Sequence, residues 1–76
     1  MGAMEAVSST HKRFGQRVKE LRKENEMTQE DLAFKIEVDR SYMGFIERGE
    51  KNPTLKNIDK IAKAFSVSLG ELFKPI

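Results

Sequence analysis

The sequence predicts an all-α domain of five short helices, and three observations support this prediction. Helix-forming residues such as Lys, Glu, Leu and Ala are plentiful, whereas Val and Thr are sparse. Apolar residues recur three and four positions apart along most of the chain, which is the spacing of one helix face. Only Glu37, Val38 and Asp39 separate the second predicted helix from the third, so a tight turn must join them. This arrangement is a helix-turn-helix.

The first two helices are predicted over residues 14–24 and 29–36. Thr28 precedes the second helix as an N-cap, and Asp31 three residues later completes an arrangement like a capping box. The apolar side chains expected on the buried faces of these helices are Phe14, Val18, Leu21, Leu32, Ala33 and Ile36.

The other three helices are predicted over residues 40–48, residues 55–65 and a short segment after Ser68. Asp39 is a suitable N-cap for the third helix, Gly49 ends it, and the S-x-x-E pattern that begins at Ser68 predicts a capping box for the fifth. The residues expected to face the core in and beside helices three and four are Val38, Met43, Ile46, Leu55, Ile58, Ile61, Ala62 and Phe65.

The N-terminal residues are assigned to no helix. The opening "MGAM" is typical of an expression scar, and the rest of residues 1–12, which holds the only histidine, His11, is interpreted as a flexible arm. The predicted domain therefore spans residues 13–76, near the lower size limit at which a chain without disulfides or metal holds a core.

Composition argues against several classes of function. With 0 Cys there is no disulfide framework and no thiolate metal site, and no apolar run approaches the length of a membrane span. The N-terminus has no signal-peptide pattern, so a cytoplasmic protein without membrane contact is expected. The only histidine lies in the arm and no carboxylate pair marks a cleft, so we expect no enzyme activity, cofactor, metal or small-molecule ligand.

The formal net charge is +2, and its distribution is more informative than its total. Residues 12–25 hold six basic and two acidic side chains, whereas residues 26–34 hold three acidic side chains and no basic one. A solvated surface explains such alternating blocks, so charge alone does not indicate a nucleic-acid partner.

The outer face of the third helix follows by subtraction of its core residues. Ser41, Gly44, Phe45 and Arg48 fall at i, i+3, i+4 and i+7, with Arg40 at the N-terminal edge of the stripe. Glycine inside a helix costs about 1 kcal/mol relative to alanine. A bare position beside a large exposed aromatic ring therefore indicates that something approaches this face closely.

The segment "MTQEDLAFKIEVDRSYMGFIERGEKNPTLKNIDKIAKAFSVSLGELF" resembles the Cro and lambda-repressor type of DNA-binding domain. Within that family it is similar to the controller proteins of bacterial restriction-modification systems, chiefly through "DRSY" followed by "IER". The resemblance covers about residues 14–73. It implies a five-helix lambda-repressor-like fold whose third helix lies in the DNA major groove.

The resemblance also implies which residues contact DNA. Arg40 is expected to reach guanine O6 and N7, Gly44 to let the groove floor approach, and Phe45 to rest on thymine methyls or sugar edges. An ordinary solvated helix start is the alternative for Arg40 and Ser41, and a helix of a dimer partner is the alternative at Gly44. A simple first-turn polar residue is the alternative for Gln29, and solvated loop residues are the alternative for Lys51 and Asn52. The expected base contacts are Arg40, Ser41, Gly44 and Phe45, and the expected backbone contacts are Thr28, Gln29, Tyr42, Arg48, Lys51 and Asn52.

Four further residues carry expectations of their own. Arg22 and Glu47 are expected to form a structural salt bridge that hides a negative charge from DNA phosphates. The turn position held by Glu37 is commonly glycine in the family, so either a strained left-handed backbone is tolerated there or the turn differs. Phe34 falls on an exposed position, where it covers Tyr42, forms part of a contact or is simply a surface aromatic.

One helix reads few base pairs, so specificity from this module requires two copies on a two-fold repeated site. In the family the last helix forms the dimer, and we assign Leu69, Phe73 and Ile76 to the interface and Leu72 to the core. The predicted function is a homodimeric, sequence-specific transcription regulator that binds double-stranded DNA and is a restriction-modification controller. The alternative is an antitoxin-like or adaptor module that binds protein with the same fold.

Overall fold

Five helices make up residues 8–76, the part of the chain described by this computed structural model. They are α1 (Ser9–Glu24), α2 (Gln29–Ile36), α3 (Arg40–Glu47), α4 (Leu55–Ala64) and α5 (Leu69–Phe73). α3 packs against both α1 and α2, while α4 packs on α2, and α5 packs on α1 and α4. The all-α prediction, with a helix-turn-helix formed by α2 and α3, is confirmed. None of the helices in residues 8–76 has the length and apolar character needed to span a membrane.

The start of α1 differs from the prediction. The helix begins at Ser9, and Ser8 is its N-cap: the Ser8 hydroxyl accepts from the His11 backbone N–H at 3.2 Å. The Ser8 backbone N–H donates in return to His11 Nδ1 at 3.3 Å, so histidine takes the place of the usual Glu or Gln in a capping box. The assignment of residues 8–12 to a flexible arm is therefore wrong. Residues 1–7, with the predicted expression scar, lie outside the described residues.

One apolar core joins all five helices. Its buried hydrophobic residues are Phe14, Val18, Leu21, Leu32, Ala33, Ile36, Met43, Ile46, Ile61, Ala62, Phe65 and Leu72. Val38, Tyr42, Ile58 and Ile76 pack against this core while half-buried. Leu55 is the exception among the predicted core residues, because its side chain is 74% exposed. It starts α4 at the edge of the apolar stripe, and the buried part of that stripe is centred on Ile61.

A glycine in α1 sets the distance between α1 and α3. A Cβ built at Gly15 would lie 2.4 Å from the carbonyl oxygen of Ile46 and 2.5 Å from that of Glu47. Both atoms belong to the backbone of α3, so no side-chain rotation removes the clash. Sequence reasoning missed this contact, because a lone glycine inside an amphipathic helix carries no local sign of what lies opposite it.

Four helices end with the same backbone motif. After α2, the Glu37 N–H donates to Phe34 O at 3.2 Å and the Val38 N–H donates to Ala33 O at 2.9 Å, which is the Schellman pattern. Glu37 itself is left-handed, with φ 63° and ψ 47°, so the strained alternative for this turn is the one the structure adopts. Equivalent bonds follow α1, α3 and α4, where the residues with positive φ are Glu26, Gly49 and Ser66.

Lys60 of α4 fastens the turn between α2 and α3. Its ammonium donates to the carbonyl oxygen of Ile36 at 3.4 Å and lies 3.9 Å from the Glu37 carboxylate. A cation at the C-terminal end of a helix is favourable because the last carbonyl groups there are negatively polarised. The turn that positions α3 is thereby also bonded to α4, which packs on α2.

Candidate nucleic-acid interface

α3 presents opposite chemistry on its two sides. Met43 and Ile46 are buried in the core, whereas Arg40, Ser41, Phe45 and Arg48 project outward. Phe45 keeps 37% of its surface exposed. The helix is short and fully supported on its inner side, so its outer side chains are held on a rigid element.

Asp39 does not cap α3 as predicted. It occupies the N-cap position with extended backbone, φ −69° and ψ 147°, but its side chain makes no capping hydrogen bond. Its backbone carbonyl accepts from the Met43 N–H at 3.2 Å, which is the first bond of the helix. The Asp39 carboxylate is exposed and does not satisfy the first-turn amides of α3.

Gly44 is buried, although the stripe to which it belongs was expected to face solvent or a partner. A Cβ built there would lie 3.2 Å from NH1 of Arg48 and 3.6 Å from Oε1 of Gln29. Both atoms are the far ends of long polar side chains. The outer face of α3 is therefore covered at its centre by polar groups of the chain itself.

Arg22 and Glu47 form a buried, bidentate ion pair between α1 and α3. Arg22 donates from Nε to Glu47 Oε2 at 2.6 Å and from NH2 to Oε1 at 3.1 Å, with side chains only 10% and 2% exposed. A third donor, NH1, bonds to the carbonyl oxygen of Met27 at 2.8 Å. Burial of a charge is costly unless it is paired and fully hydrogen-bonded, and these contacts meet both conditions.

Gln29 extends this ion pair to the exposed face. Its Nε2 donates to Glu47 Oε1 at 3.0 Å, and its Oε1 accepts from Arg40 NH1 at 3.4 Å. A continuous chain of polar contacts thus runs from Arg22 in α1 through Glu47 and Gln29 to Arg40 at the start of α3. Sequence reasoning assigned separate roles to Arg22 and Arg40 and missed their connection through Gln29.

The N-terminus of α2 is fixed by a reciprocal capping box. The Thr28 hydroxyl accepts from the Asp31 N–H at 3.0 Å, and the Asp31 carboxylate accepts from the Thr28 N–H at 2.9 Å. The hydrogen bond from the Thr28 backbone N–H lowers the pKa of the Asp31 carboxyl below its ordinary value, and the bond from the Thr28 hydroxyl lowers it further by a smaller amount.

Thr28, Gln29 and Arg40 line one open depression between α2 and α3. Two of the residues expected to contact phosphates, Thr28 and Gln29, therefore lie beside Arg40, which is expected to contact a base.

Tyr42 is held between the core and α4. Its half-buried ring packs against the core, and its hydroxyl accepts from Asn57 Nδ2 at 3.2 Å. A phenol that accepts one hydrogen bond still has its own hydrogen to donate. The hydroxyl is therefore positioned by α4 while it keeps a donor for a further partner.

Two cations lie close to the Phe45 ring. The Arg48 guanidinium carbon is 5.1 Å from the ring centroid and the Lys51 ammonium nitrogen is 5.6 Å from it, both within the range of cation–π attraction. Arg48 Nε also donates to Glu50 Oε1 at 3.1 Å. Lys51 and Asn52 are exposed in the loop that follows Gly49. The C-terminal half of the outer face is thus a basic cluster around one aromatic ring.

Phe34 lies apart from this face and is 85% exposed. Such exposure contradicts the interpretation that it covers Tyr42. It lines a shallow depression on α2 with Met27, Asp31, Lys35 and Glu37.

α5 and the start of α4 carry the other exposed apolar groups. Leu69 and Phe73 are partly exposed, and the Phe73 ring stacks on Phe14 with centroids 5.3 Å apart. Ile76 is half-buried, while Leu72 is fully buried in the core. Arg17 of α1 donates to the carbonyl oxygens of Leu72 at 3.0 Å and Glu71 at 2.8 Å, which fixes the end of α5 against α1.

Comparison with known proteins agrees with this geometry. Residues 18–72 match the helix-turn-helix family. The control protein C.MunI of Mycoplasma sp is 43% identical over 65 residues, covering 84% of this chain and 88% of the relative. The control protein C.BamHI of Bacillus amyloliquefaciens is 45% identical over 60 residues, covering 78% and 74%.

A solved structure extends the likeness from sequence to fold. The restriction-modification controller protein C.AhdI from Aeromonas hydrophila is similar with a TM-score of 0.79 and 47% sequence identity, covering 87% of this chain and 98% of that one. The family match spans most of the chain, and both control proteins share well over 30% identity with it. The chain therefore belongs to the helix-turn-helix family, with restriction-modification controller proteins among its relatives.

Proposed function

We propose that this protein is a sequence-specific DNA-binding transcription regulator of the restriction-modification controller type. One observation carries the proposal: the outer face of α3 bears two arginines, a serine and an aromatic ring, and a buried ion pair fixes that helix from behind. A recognition helix in the major groove requires this combination of adaptable donors and a rigid support. Arg40, at the N-terminal end of α3, has the two parallel donors that match guanine O6 and N7.

The residues around α3 divide into two roles under this proposal. Arg40, Ser41, Gly44 and Phe45 lie on the side of α3 that faces the base edges, where Arg40, Ser41 and Phe45 are exposed and Gly44 is covered by Arg48 and Gln29. The residues that face the sugar-phosphate backbone are Thr28, Gln29, Tyr42, Arg48, Lys51 and Asn52. Arg22 and Glu47 support the helix from inside, so they act on DNA binding through position and not through contact.

The proposal also includes a homodimer formed through α5. Leu69 and Phe73 offer partly exposed apolar surface, and Ile76 lies at the end of the same segment. Two copies related by a two-fold axis place two recognition helices on one face of the duplex, which gives the specificity that one helix lacks. A regulator that reads cellular DNA must share a compartment with it, so the proposed location is the cytoplasm.

The test is selection of bound sites from random double-stranded DNA, followed by titration of the selected site at fixed salt. We expect a two-fold repeated site. Arg40→Ala should weaken binding to that site by about 1 to 3 kcal/mol and relax the preference at one base pair in each half. Lys63→Ala is the matched control, because it removes one positive charge from an exposed residue of α4 whose one ion pair within residues 8–76 is with Asp59.

Two results would contradict the proposal. The first is enrichment of no common sequence during selection by the wild-type protein. The second is an equal loss of affinity in Arg40→Ala and Lys63→Ala, which would mean that only general charge attraction is measured. For the dimer, Leu69→Glu should convert the protein to a monomer in sedimentation equilibrium, while Leu55→Glu, an exposed apolar residue of α4, serves as the comparison.

A protein-binding module is the second candidate, and Phe34 favours it. An 85% exposed phenylalanine beside a depression on α2 is a surface that base reading by α3 does not explain. Under this alternative Phe34→Ser would abolish association with a protein partner, and the wild-type protein would show no sequence preference on DNA. Unchanged DNA selection by Phe34→Ser would separate that surface from the regulator function.

A further inference from the structure

The Arg48 side chain runs backward along α3 toward the centre of the exposed face. Its backbone lies at the C-terminal end of the helix, where a phosphate contact was expected. Its NH1, however, lies 3.2 Å from the point where a Gly44 Cβ would stand, one turn earlier. Long side chains on a helix point toward its N-terminus, and the missing Cβ leaves room for the guanidinium there.

Arg48 and Arg40 converge on the same part of the face. The Gln29 amide oxygen accepts from Arg40 NH1 at 3.4 Å and lies 3.6 Å from the same Gly44 Cβ point. Two guanidinium groups therefore flank one amide at the middle of the helix. In a helix-turn-helix, the N-terminal residues of the recognition helix contact base edges. The Arg48 guanidinium reaches back toward that end of α3, although its backbone lies at the C-terminal end.

Phe45 and Glu50 hold the Arg48 guanidinium in this place. The guanidinium carbon lies over the Phe45 ring, 5.1 Å from its centroid, and the Glu50 carboxylate accepts from the Arg48 Nε. A carboxylate on one side of the guanidinium leaves the NH1 and NH2 edge for another acceptor pair. Guanine O6 and N7 form such a pair.

We propose that Arg48 is a second base-reading residue beside Arg40, and that Gly44 and Phe45 position its guanidinium group. This inference rests on the proposed DNA-binding function and changes the roles within it: Gly44 makes room for an arginine of the same chain, not for the floor of the groove. Arg48 becomes a specificity-determining residue, and Gly44 and Phe45 are positioning residues for it.

A double-mutant comparison on the selected site and all of its single base-pair variants tests this. Arg48→Ala should lose about tenfold of its discrimination at one base pair, at a position different from the one lost in Arg40→Ala. Gly44→Ala should weaken discrimination at the same base pair as Arg48→Ala, by about threefold, because its Cβ displaces the guanidinium. In the Arg48→Ala background Gly44→Ala should have no further effect. Lys51→Ala, which removes the other cation near Phe45, should weaken all variants alike.

Two outcomes on DNA would overturn the inference. A uniform loss across all sites in Arg48→Ala would make Arg48 a phosphate contact. An equal effect of Gly44→Ala in both backgrounds would mean that DNA itself touches this position. Thermal unfolding of Gly44→Ala checks that this variant is folded. Its melting temperature should not fall, because alanine is favoured over glycine inside a helix.

A measurement without DNA tests the positioning of Arg48 by Gly44 and Phe45 separately from the regulator function. In the free protein the Arg48 Nε–H resonance should be shifted by the ring current of Phe45. That shift should disappear in Phe45→Leu and decrease in Gly44→Ala. An unshifted Arg48 Nε–H resonance in the wild-type protein would refute the positioning of Arg48 by Phe45 and Gly44, even if specific DNA binding is found. A shifted resonance without specific DNA binding would refute the regulator function and, with it, base reading by Arg48.

Discussion

Glycines lie in or against α3 on both its inner and its outer side, but the neighbouring atoms that make glycine necessary differ. On the inner side, a Cβ at Gly15 or Gly49 would lie within 3 Å of backbone atoms of the facing segment: Ile46 and Glu47 for Gly15, and Lys12 for Gly49. On the outer side, the nearest neighbours of a Cβ at Gly44 would be the ends of flexible side chains. Backbone atoms in packed helices cannot move aside, whereas side-chain ends can rotate. The inner glycines are therefore needed for folding and the outer one for the arrangement of the exposed face.

The largest effect is expected at Gly15. Gly15→Ala should destabilise the fold by about 3 kcal/mol, because the clash with two carbonyl oxygens outweighs the better helix propensity of alanine. Urea unfolding followed by circular dichroism measures this difference. Gly70→Ala in α5 is the matched control, since a Cβ there would come no closer than 3.8 Å to the Ser68 hydroxyl.

The stability of Gly15→Ala relative to Gly70→Ala decides whether the inner side is rigid. If both variants are as stable as the wild-type protein, then α1 and α3 can separate slightly at no cost. In that case the distinction between the two sides of α3 would not hold. A domain of this size has only a few kcal/mol of stability in total, so the expected loss would leave Gly15→Ala partly unfolded.

The next effect is expected at Gly49, where two causes act together. Its φ is 75°, which costs a residue with a Cβ about 1 kcal/mol, and the Lys12 backbone lies 2.8 Å from the Cβ position. Gly49→Ala should therefore lose about 2 to 3 kcal/mol in the same unfolding measurement. Gly49→Asn separates the causes, because asparagine tolerates the left-handed region but still meets Lys12. Nearly wild-type stability of Gly49→Asn would show that conformation, not contact with α1, requires glycine here.

These glycines also show what the sequence can predict and what it cannot. Gly49 was identified correctly as the end of the third helix, because a glycine after an amphipathic segment is a local signal. The burial of Gly15 against α3 was not predictable, since its cause lies in another helix. Gly44 was recognised as unusual, but the side chains that cover it, Gln29 and Arg48, come from different positions along the chain. Their meeting depends on the packing of α2 on α3.

The same distinction holds for helix ends and for the core. The apolar stripes were predictable from spacing, and Thr28 with Asp31 forms the expected capping box. The start of α1 was missed because histidine at the third position of a capping box is not the usual signal. Asp39 has the right residue type for a cap, yet its side chain makes no capping bond. Residue type predicts the presence of a helix end more reliably than the bonds that satisfy it.

The smallest expected effect is at Glu37, where the substitution introduces a glycine and does not remove one. Glu37 has a left-handed backbone like that of Gly49, with φ 63°, but its side chain is 84% exposed. Glu37→Gly should relieve the strain of a Cβ in this region, while the unfolded chain gains some freedom. The net result should be a gain of about 0.5 to 1 kcal/mol, because the Lys60 contact at 3.9 Å is exposed and contributes little. Ser66→Gly, at the matching turn after α4, should give a similar gain. If Glu37→Gly is instead destabilised while Ser66→Gly is not, the turn between α2 and α3 depends on the Glu37 side chain, and glycine would be a worse residue at the position that sets α3 in place.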